Sequence, residues 1–405
     1  MIKALKNSAI KQLWIGQALS SIGDEVYRVG LTWLAVGILG NKTGWLSAGQ
    51  MATLMIVSFF GGKWADKWDP LTTMIRVDLL RAFLVLIPVI ISYFLKVPLW
   101  ILILVAFSIS GLSAFFDPSV QATLPIISND PETLQSTNGL MSTTTRMARM
   151  IGPTLIGLLV GLIPTIHFFT IDSLTFILSA FSLIILCKKI NYNPNDNIPI
   201  HHNSFKKSLN AGFELAKRQK DIKYILLAKA LTAGTWNLVF NIGFALLIYE
   251  RTDNDVRSYG LLVASYGLGN FLGALFFGNI KRINSRFYIF FGYAILGLGF
   301  FTIGISTNIK FILAAACYTG FTGPLNDLSF IEYIQHTYSP KELTKIFRLR
   351  QSVETLAGLI LMLLSPFIIK LLTVSKMISA VGILWILVGL IGIFFSSKKL
   401  TKNNI

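Results

Sequence analysis

The chain has 405 residues, of which 53% are apolar and 14% charged, with 30 Phe among them. Soluble domains carry about a quarter charged residues, so most of this surface faces something other than water, which excludes an ordinary soluble enzyme or binding module. The net charge of +17 raises a polyanion such as nucleic acid as a partner, and the placement of the bases along the chain decides that question.

Apolar runs able to cross a hydrocarbon core as helices, about 20 residues each, are predicted at approximately 12–39, 44–62, 73–95, 98–119, 138–163, 166–187, 223–249, 257–279, 287–306, 309–333, 346–371 and 375–396. A β-barrel would show shorter, alternating segments. The expected fold class is therefore all-α and integral to the membrane, with about twelve transmembrane helices. About 22 of the 36 Lys and Arg fall on one set of loops and ends, about 7 on the other and about 7 inside spans, which is the positive-inside bias that orients a membrane protein. The bases thus report topology, and no nucleic-acid partner is expected. An even number of spans with a Lys-rich start places both termini in the cytoplasm. Met1, Lys3, Lys6 and Lys11 resemble the charged start of a signal peptide, but the apolar stretch behind them is long and itself charged, so it is expected to be a retained span.

Six spans precede a polar segment and six follow it. The expected divisions are an N-terminal six-helix bundle (1–187), a cytoplasmic linker (188–222), a C-terminal six-helix bundle (223–396) and a tail (397–405). The linker opens with an Asn-, Pro- and His-rich stretch, 191–204, whose adjacent His201 and His202 are expected to be solvated, with no metal held. Over 205–220, Phe205, Leu209, Phe213, Leu215 and Ala216 gather towards one side, which fits a helix lying on the cytoplasmic membrane face. Cys187 and Cys317 form no metal or disulfide pattern. The halves repeat: QALSSIGDEV at 17–26 aligns with KALTAGTWNL at 229–238, and Gly111 to Leu134 with Gly320 to Leu343. Parallel repeats of this kind place a binding cavity at their shared axis.

The loop Gly61-Gly62-Lys63-Trp64-Ala65-Asp66-Lys67-Trp68-Asp69 resembles the signature between the second and third spans of the major facilitator superfamily. Arg76, Asp78 and Arg81 follow it. In the fifth predicted span, Ala148-Arg149-Met150-Ile151-Gly152-Pro153-Thr154-Leu155-Ile156-Gly157 resembles the Gly-Pro motif of exporters in that superfamily, although small-residue packing with a proline kink gives the same pattern. With GDEVYRVGLTWLAV at 23–36 and GFELAKRQKDIKYILL at 212–227, the whole chain resembles the branch holding macrolide-efflux and enterobactin-export proteins. That resemblance implies secondary active transport in the inner membrane by a monomer, commonly antiport of substrate against protons, with no cofactor beyond the proton gradient. It also implies gate roles for Gly62, Asp66, Lys67, Asp78, Arg81 and Arg350, and an exporter-type kink at Gly152, Pro153 and Gly157.

Ionisable groups at membrane depth cost about 2.5–3.5 kcal/mol each on insertion scales and so tend to face a cavity or one another. Asp24 and Arg28, four apart, share a helix face and are expected to pair, which leaves Glu25 on an adjacent face. Asp24 or Glu25 is the candidate proton carrier, because a carboxylate in a low-dielectric cavity accepts a proton more readily than one in water. Candidate substrate contacts are Arg28, Asp117, Gln121, Arg146, Arg149, Lys229, Trp236 and Glu354, with Trp33 and Phe240 as further aromatic lining. Arg149 and Arg350 fit equally a gate paired with Asp66 or Asp78, and Asp327 and Glu332 fit gate pairing. The bases among these residues favour an anionic or zwitterionic cargo and the aromatic rings a flat, partly apolar one, descriptions that a siderophore-like molecule and an amphiphilic antibiotic both meet. Uptake and (lyso)lipid translocation are the alternatives. No GxxxxGK[ST] loop and no HExxH or Ser/His constellation is present, so neither an ATP-driven pump nor an enzyme is expected.

Overall fold

The computed structural model describes residues 2–65, 68–128, 130–159, 162–190, 212–217, 220–252, 255–278 and 285–400. Asp66, Lys67, Phe205, Leu209, His201 and His202 fall outside it, as do the surroundings of Gly62, Arg146, Pro153 and Gly157. The described residues form helices joined by short turns, without a strand. In chain order these are α1 (Ile2–Lys6), α2 (Ser8–Leu39), a 3-10 turn (Gly40–Lys42), α3 (Thr43–Ala65), α4 (Pro70–Ser92), α5 (Leu99–Ile127), α6 (Pro131–Leu159) and α7 (His167–Lys189). There follow α8 (Lys220–Leu238), a π-helical segment (Val239–Gly243), α9 (Phe244–Arg251), α10 (Val256–Gly278), α11 (Ser285–Ile305), α12 (Ile309–Thr337), α13 (Pro340–Leu372) and α14 (Val374–Leu400).

A helix runs through each apolar segment read from the sequence. Among the described residues, seven helical stretches are long and apolar enough to cross a membrane by length and composition. These are Leu99–Ile127, His167–Lys189, Asp221–Arg251, Val256–Gly278, Ser285–Ile305, Lys345–Leu372 and Val374–Phe395. Of the other long helices, α2 carries Lys11, Asp24, Glu25 and Arg28, and α6 opens with PETLQSTN.

Helix starts are written in local chemistry. Asn7 caps α2 by accepting from the amides of Ala9 and Ile10 at 2.9 and 3.3 Å. Asp69 caps α4 through the Thr72 amide at 2.7 Å, with Pro70 as the first helical residue. Asp130 accepts from the Thr133 amide at 2.8 Å ahead of Pro131, and Ser339 forms a capping box with Glu342 ahead of Pro340. Such caps satisfy amides that have no partner within the helix, and proline at the first position forfeits nothing there. The second pair sits in the aligned repeat stretches, so part of the internal sequence similarity is a shared way of starting a helix.

The chain forms two compact units, one of residues 1–38 and 49–202 and the other of 39–48 and 203–405. In the first unit α4 packs on α5 and α7, with the Ser173 hydroxyl donating to the Ala82 carbonyl at 2.9 Å. Helix α2 lies against α7 along Gly16, Gly23 and Gly30, spaced by seven and so on one face, where they meet Ser182, Thr175 and Phe168. Helix α6 also approaches α2, at Gly152. Gly111 of α5 faces Thr53 and Val57 of α3.

In the second unit α8 packs on α13, α10 on α12, and α11 on both α12 and α14. Between α10 and α12 the backbones nearly touch: a Cβ on Gly320 would stand 1.9 Å from the Tyr266 carbonyl oxygen, and one on Gly269 1.9 Å from that of Cys317. Small residues at such crossings are how helices gain contact where lipid removes the hydrophobic drive between them. The helical segment 212–217 also belongs here. Within it Phe213 is exposed while Leu215 and Ala216 are buried; residues 205–211 of the predicted surface helix lie outside the described residues. Gly212 approaches the Lys345 carbonyl and Leu349 of α13 and docks the segment on protein.

Close backbone contact at Gly320 sets a test. Gly320→Ala should destabilise the detergent-purified protein by about 1–3 kcal/mol, the usual cost of overpacking, seen as a lower thermal midpoint. Gly278→Ala, with no described residue within 4 Å of the added carbon, should leave that midpoint unchanged.

Candidate functional site

Two charge clusters stand inside the units. The first begins on α2. Arg28 turns to Glu25 and not to Asp24: its Nε donates to Glu25 Oε2 at 2.9 Å and its Nη2 reaches the same oxygen. The other Glu25 oxygen lies 3.7 Å from Arg149 Nε on α6. Gly152 makes this possible, because a Cβ there would stand 2.5 Å from that of Glu25, so only a bare backbone brings Arg149's helix this close. The expected Asp24–Arg28 pair is thus replaced by a Glu25 carboxylate held between two guanidinium groups. The two guanidinium groups differ in access, Arg149 being 59% exposed and Arg28 29%, against 13% for Glu25.

Asp24 is left facing other charges. It is exposed and lies within electrostatic range of Arg81 on α4 and Asp117 on α5. Arg81 is buried. Its Nη2 donates to Ser113 Oγ at 2.7 Å, its Nη1 lies 3.9 Å from Asp78 Oδ1, and its guanidinium sits over the rings of Phe116 and Phe176 at 4.7 and 5.5 Å. Asp78 and Asp172, on α4 and α7, are both 0% exposed. Among the described residues no hydrogen bond of good geometry reaches any of their four carboxylate oxygens or the buried Tyr27 hydroxyl, although the Ser179 hydroxyl faces Asp78 and the Thr175 hydroxyl faces Asp172. Gly23 seats Asp172 against α2, since a Cβ at Gly23 would lie 2.7 Å from Asp172 Oδ1. Thr175, beside it, donates its hydroxyl to the Asp172 carbonyl at 2.8 Å.

The second cluster is more nearly balanced in charge. Lys229 on α8 is 3% exposed; its ammonium donates to Asn326 Oδ1 at 2.9 Å and to the Asp327 carboxylate, both on α12. The rings of Phe330 and Tyr293 lie 5.3 and 5.7 Å from it. Arg350 on α13 reaches Asp327 at 3.2 Å and Glu354, one turn on, at 2.6 Å, and lies over Phe330. Two cations and two carboxylates are thereby tied across three helices. One face further along α8, Trp236 stacks on Phe240 at 4.6 Å and 12° and donates to the Tyr266 hydroxyl at 2.9 Å. Phe240 belongs to the π-helical segment, a feature that recurs at functional positions in helices.

The structure therefore brings together Glu25, Arg28 and Arg149, and separately Lys229, Asp327, Arg350 and Glu354. It leaves Asp117 and Gln121 exposed one turn apart on α5, and buries Trp33. Asp78 and Arg81 stand in the interior of the first unit, beside each other. Sequence reasoning passed over Asp172, although a lone carboxylate in the apolar run HFFTIDSLTFIL was the signal for it. It also passed over Tyr27 and Asn326, whose residue types carry no such flag. Among the described residues no three His, Cys, Asp or Glu converge as metal ligands.

Comparison with known proteins follows the same lines. Residues 2–330 match the family model described as transmembrane secretion effector. Macrolide efflux protein A of Streptococcus pyogenes is 23% identical over 368 residues, covering 86% of this chain and 87% of that protein. The staphyloferrin A transporter of Staphylococcus aureus is 24% identical over 190 residues, 46% of this chain and 47% of that one. A bacterial homologue of the iron transporter ferroportin, solved in an inward-facing state, superposes with a TM-score of 0.72 at 13% identity over 95% of this chain and 98% of that one, a likeness of fold.

The Lys229 network predicts strong coupling. Asp327→Asn strands a buried ammonium and should cost about 3 kcal/mol. Lys229→Met combined with Asp327→Asn should recover most of that loss in a double-mutant cycle read by thermal unfolding.

Proposed function

The chain belongs to the transmembrane secretion effector family of the major facilitator superfamily, and we propose that it exports a small amphiphilic molecule, macrolide-like or siderophore-like, across the bacterial inner membrane in exchange for protons. It is a multi-pass membrane transporter acting on a small molecule, not an enzyme. The observation that carries the export reading is the match to an efflux protein along most of both chains, joined to a family described by secretion.

Twelve spans in two sixfold repeats are part of the proposal, and the packing within each unit supports them. The approach of α6 to α2 has its counterpart in that of α13 to α8. The pairs α3–α5, α4–α5 and α4–α7 have theirs in α10–α12, α11–α12 and α11–α14. Both termini face the cytoplasm in this reading, following the Lys and Arg bias, and the protein works as a monomer by alternating access.

For cargo, the exposed Arg149 guanidinium offers a fork for carboxylate or another anion, and the Trp236–Phe240 stack offers a flat apolar surface. Asp24 and Asp117 are exposed carboxylates, able in this reading to meet a proton or a cationic substituent. Glu25 is neutralised by two guanidinium groups, which favours Asp24 of the two candidate proton carriers.

Inverted membrane vesicles, acid inside, supply the test with a radiolabelled macrolide and with staphyloferrin A as probes. Accumulation of either probe should follow the imposed gradient and vanish when a protonophore collapses it. Accumulation in right-side-out vesicles alone would mean uptake, and movement of lipid probes alone would mean lipid translocation; each outcome contradicts proton-driven export.

A further inference from the structure

We propose that Asp24, Asp78, Asp117 and Asp172, gathered around the one guanidinium of Arg81, form an exchangeable proton site inside the first unit, with Asp78 and Asp172 as its buried seat and Asp24 and Asp117 as its entrance. That this proton drives transport rests on the export reading above; the site itself does not.

Four helices contribute: α2 gives Asp24 and Tyr27, α4 gives Asp78 and Arg81, α5 gives Asp117, and α7 gives Asp172 and Thr175. All four acids lie within electrostatic range of Arg81; Asp24 is also within range of Asp78, Asp117 and Asp172, and Asp78 of Asp172, and Glu25 acts on Asp24 from the same helix. If every acid were ionised, four negative charges would meet one positive charge. The guanidinium does not resolve this, because its hydrogen bond goes to Ser113, its faces are covered by Phe116 and Phe176, and it stands 3.9 Å from Asp78. An ionised carboxylate without a partner in a low-dielectric interior costs several kcal/mol, and adjacent carboxylates lower that cost by sharing a proton.

Unmet hydrogen-bonding capacity marks where the proton sits. All four oxygens of Asp78 and Asp172 are buried with no hydrogen bond of good geometry among the described residues, facing at most one hydroxyl each, Ser179 and Thr175, and the Tyr27 hydroxyl, on a residue 5% exposed, has none either. A proton placed on either acid gives it a donor. A metal ion is not the occupant indicated, since no three ligand side chains converge among the described residues. Asp24 and Asp117 are exposed, and an exposed acid on a membrane helix belongs on a wetted surface and not against lipid. The path is then a proton from water to an oxygen of Asp24 or Asp117 and on to Asp172 or Asp78, and back by the same groups.

Infrared difference spectroscopy of the full-length protein in lipid, recorded across a pH series in H₂O and D₂O, reads this directly. The wild type should show the C=O stretch of a protonated carboxyl in an apolar setting, isotope-shifted and lost at high pH. Asp172→Asn and Asp78→Asn should each remove much of that band while eluting as folded protein on gel filtration, and Asp255→Asn, an exposed helix-capping residue, should leave it intact. A wild type without the band, or a band untouched in both folded variants, overturns the site. The band behaving as stated while wild-type export ignores the proton gradient supports the site and overturns the coupling reading alone.

Discussion

A charge carried into a helical bundle within hydrocarbon must find a counter-charge, water or a proton, and in this protein the helix packing decides which of these each group receives. The decision is made by glycines more than by the charged residues themselves. Gly152 admits α6 to within reach of Glu25, which then takes two arginines. Gly23 admits α7, and what that helix brings is another acid, Asp172. Neighbouring residues on α2 thus end in opposite electrostatic conditions because different helices close over them.

The two units answer the same constraint differently. In the second, Lys229 and Arg350 meet Asp327 and Glu354 in a network stitched across α8, α12 and α13. Breaking one member strands a charge, so the network resists change until all its members rearrange together, which suits a conformational latch. In the aspartate cluster of the first unit the acids outnumber Arg81, and in the proposal a proton supplies the missing positive charge. A transporter that couples export to proton entry requires both behaviours: a set of charges that fixes a state and a set whose charge is negotiable.

Much of this was legible in the chain itself. Apolar runs gave the helices, and Asp130-Pro131 and Ser339-Pro340 marked the starts of α6 and α13, because capping and proline placement are local rules. Pairings between helices were less accessible. From spacing alone Arg28 serves Asp24 and Glu25 equally well, as the fourth and third residue along the helix, and the choice is made by Arg149 arriving from over a hundred residues away. Nor could amphipathicity alone show that Gly212 brings the segment 212–217 against α13. Asp172 was visible as a single acid in an apolar run, but its meaning came only with Asp78 and Tyr27 beside it.

The central claim, that protons and cargo move in opposite directions through one machine, is tested most directly by running it backwards. Proteoliposomes with no initial pH gradient are loaded with the transported probe, and a pH indicator follows the lumen as the probe leaves. The account predicts proton movement opposite to the probe, abolished when Asp24 and Asp172 are both changed to Asn. Probe leaving the lumen at its normal rate with no change in lumenal pH would contradict it.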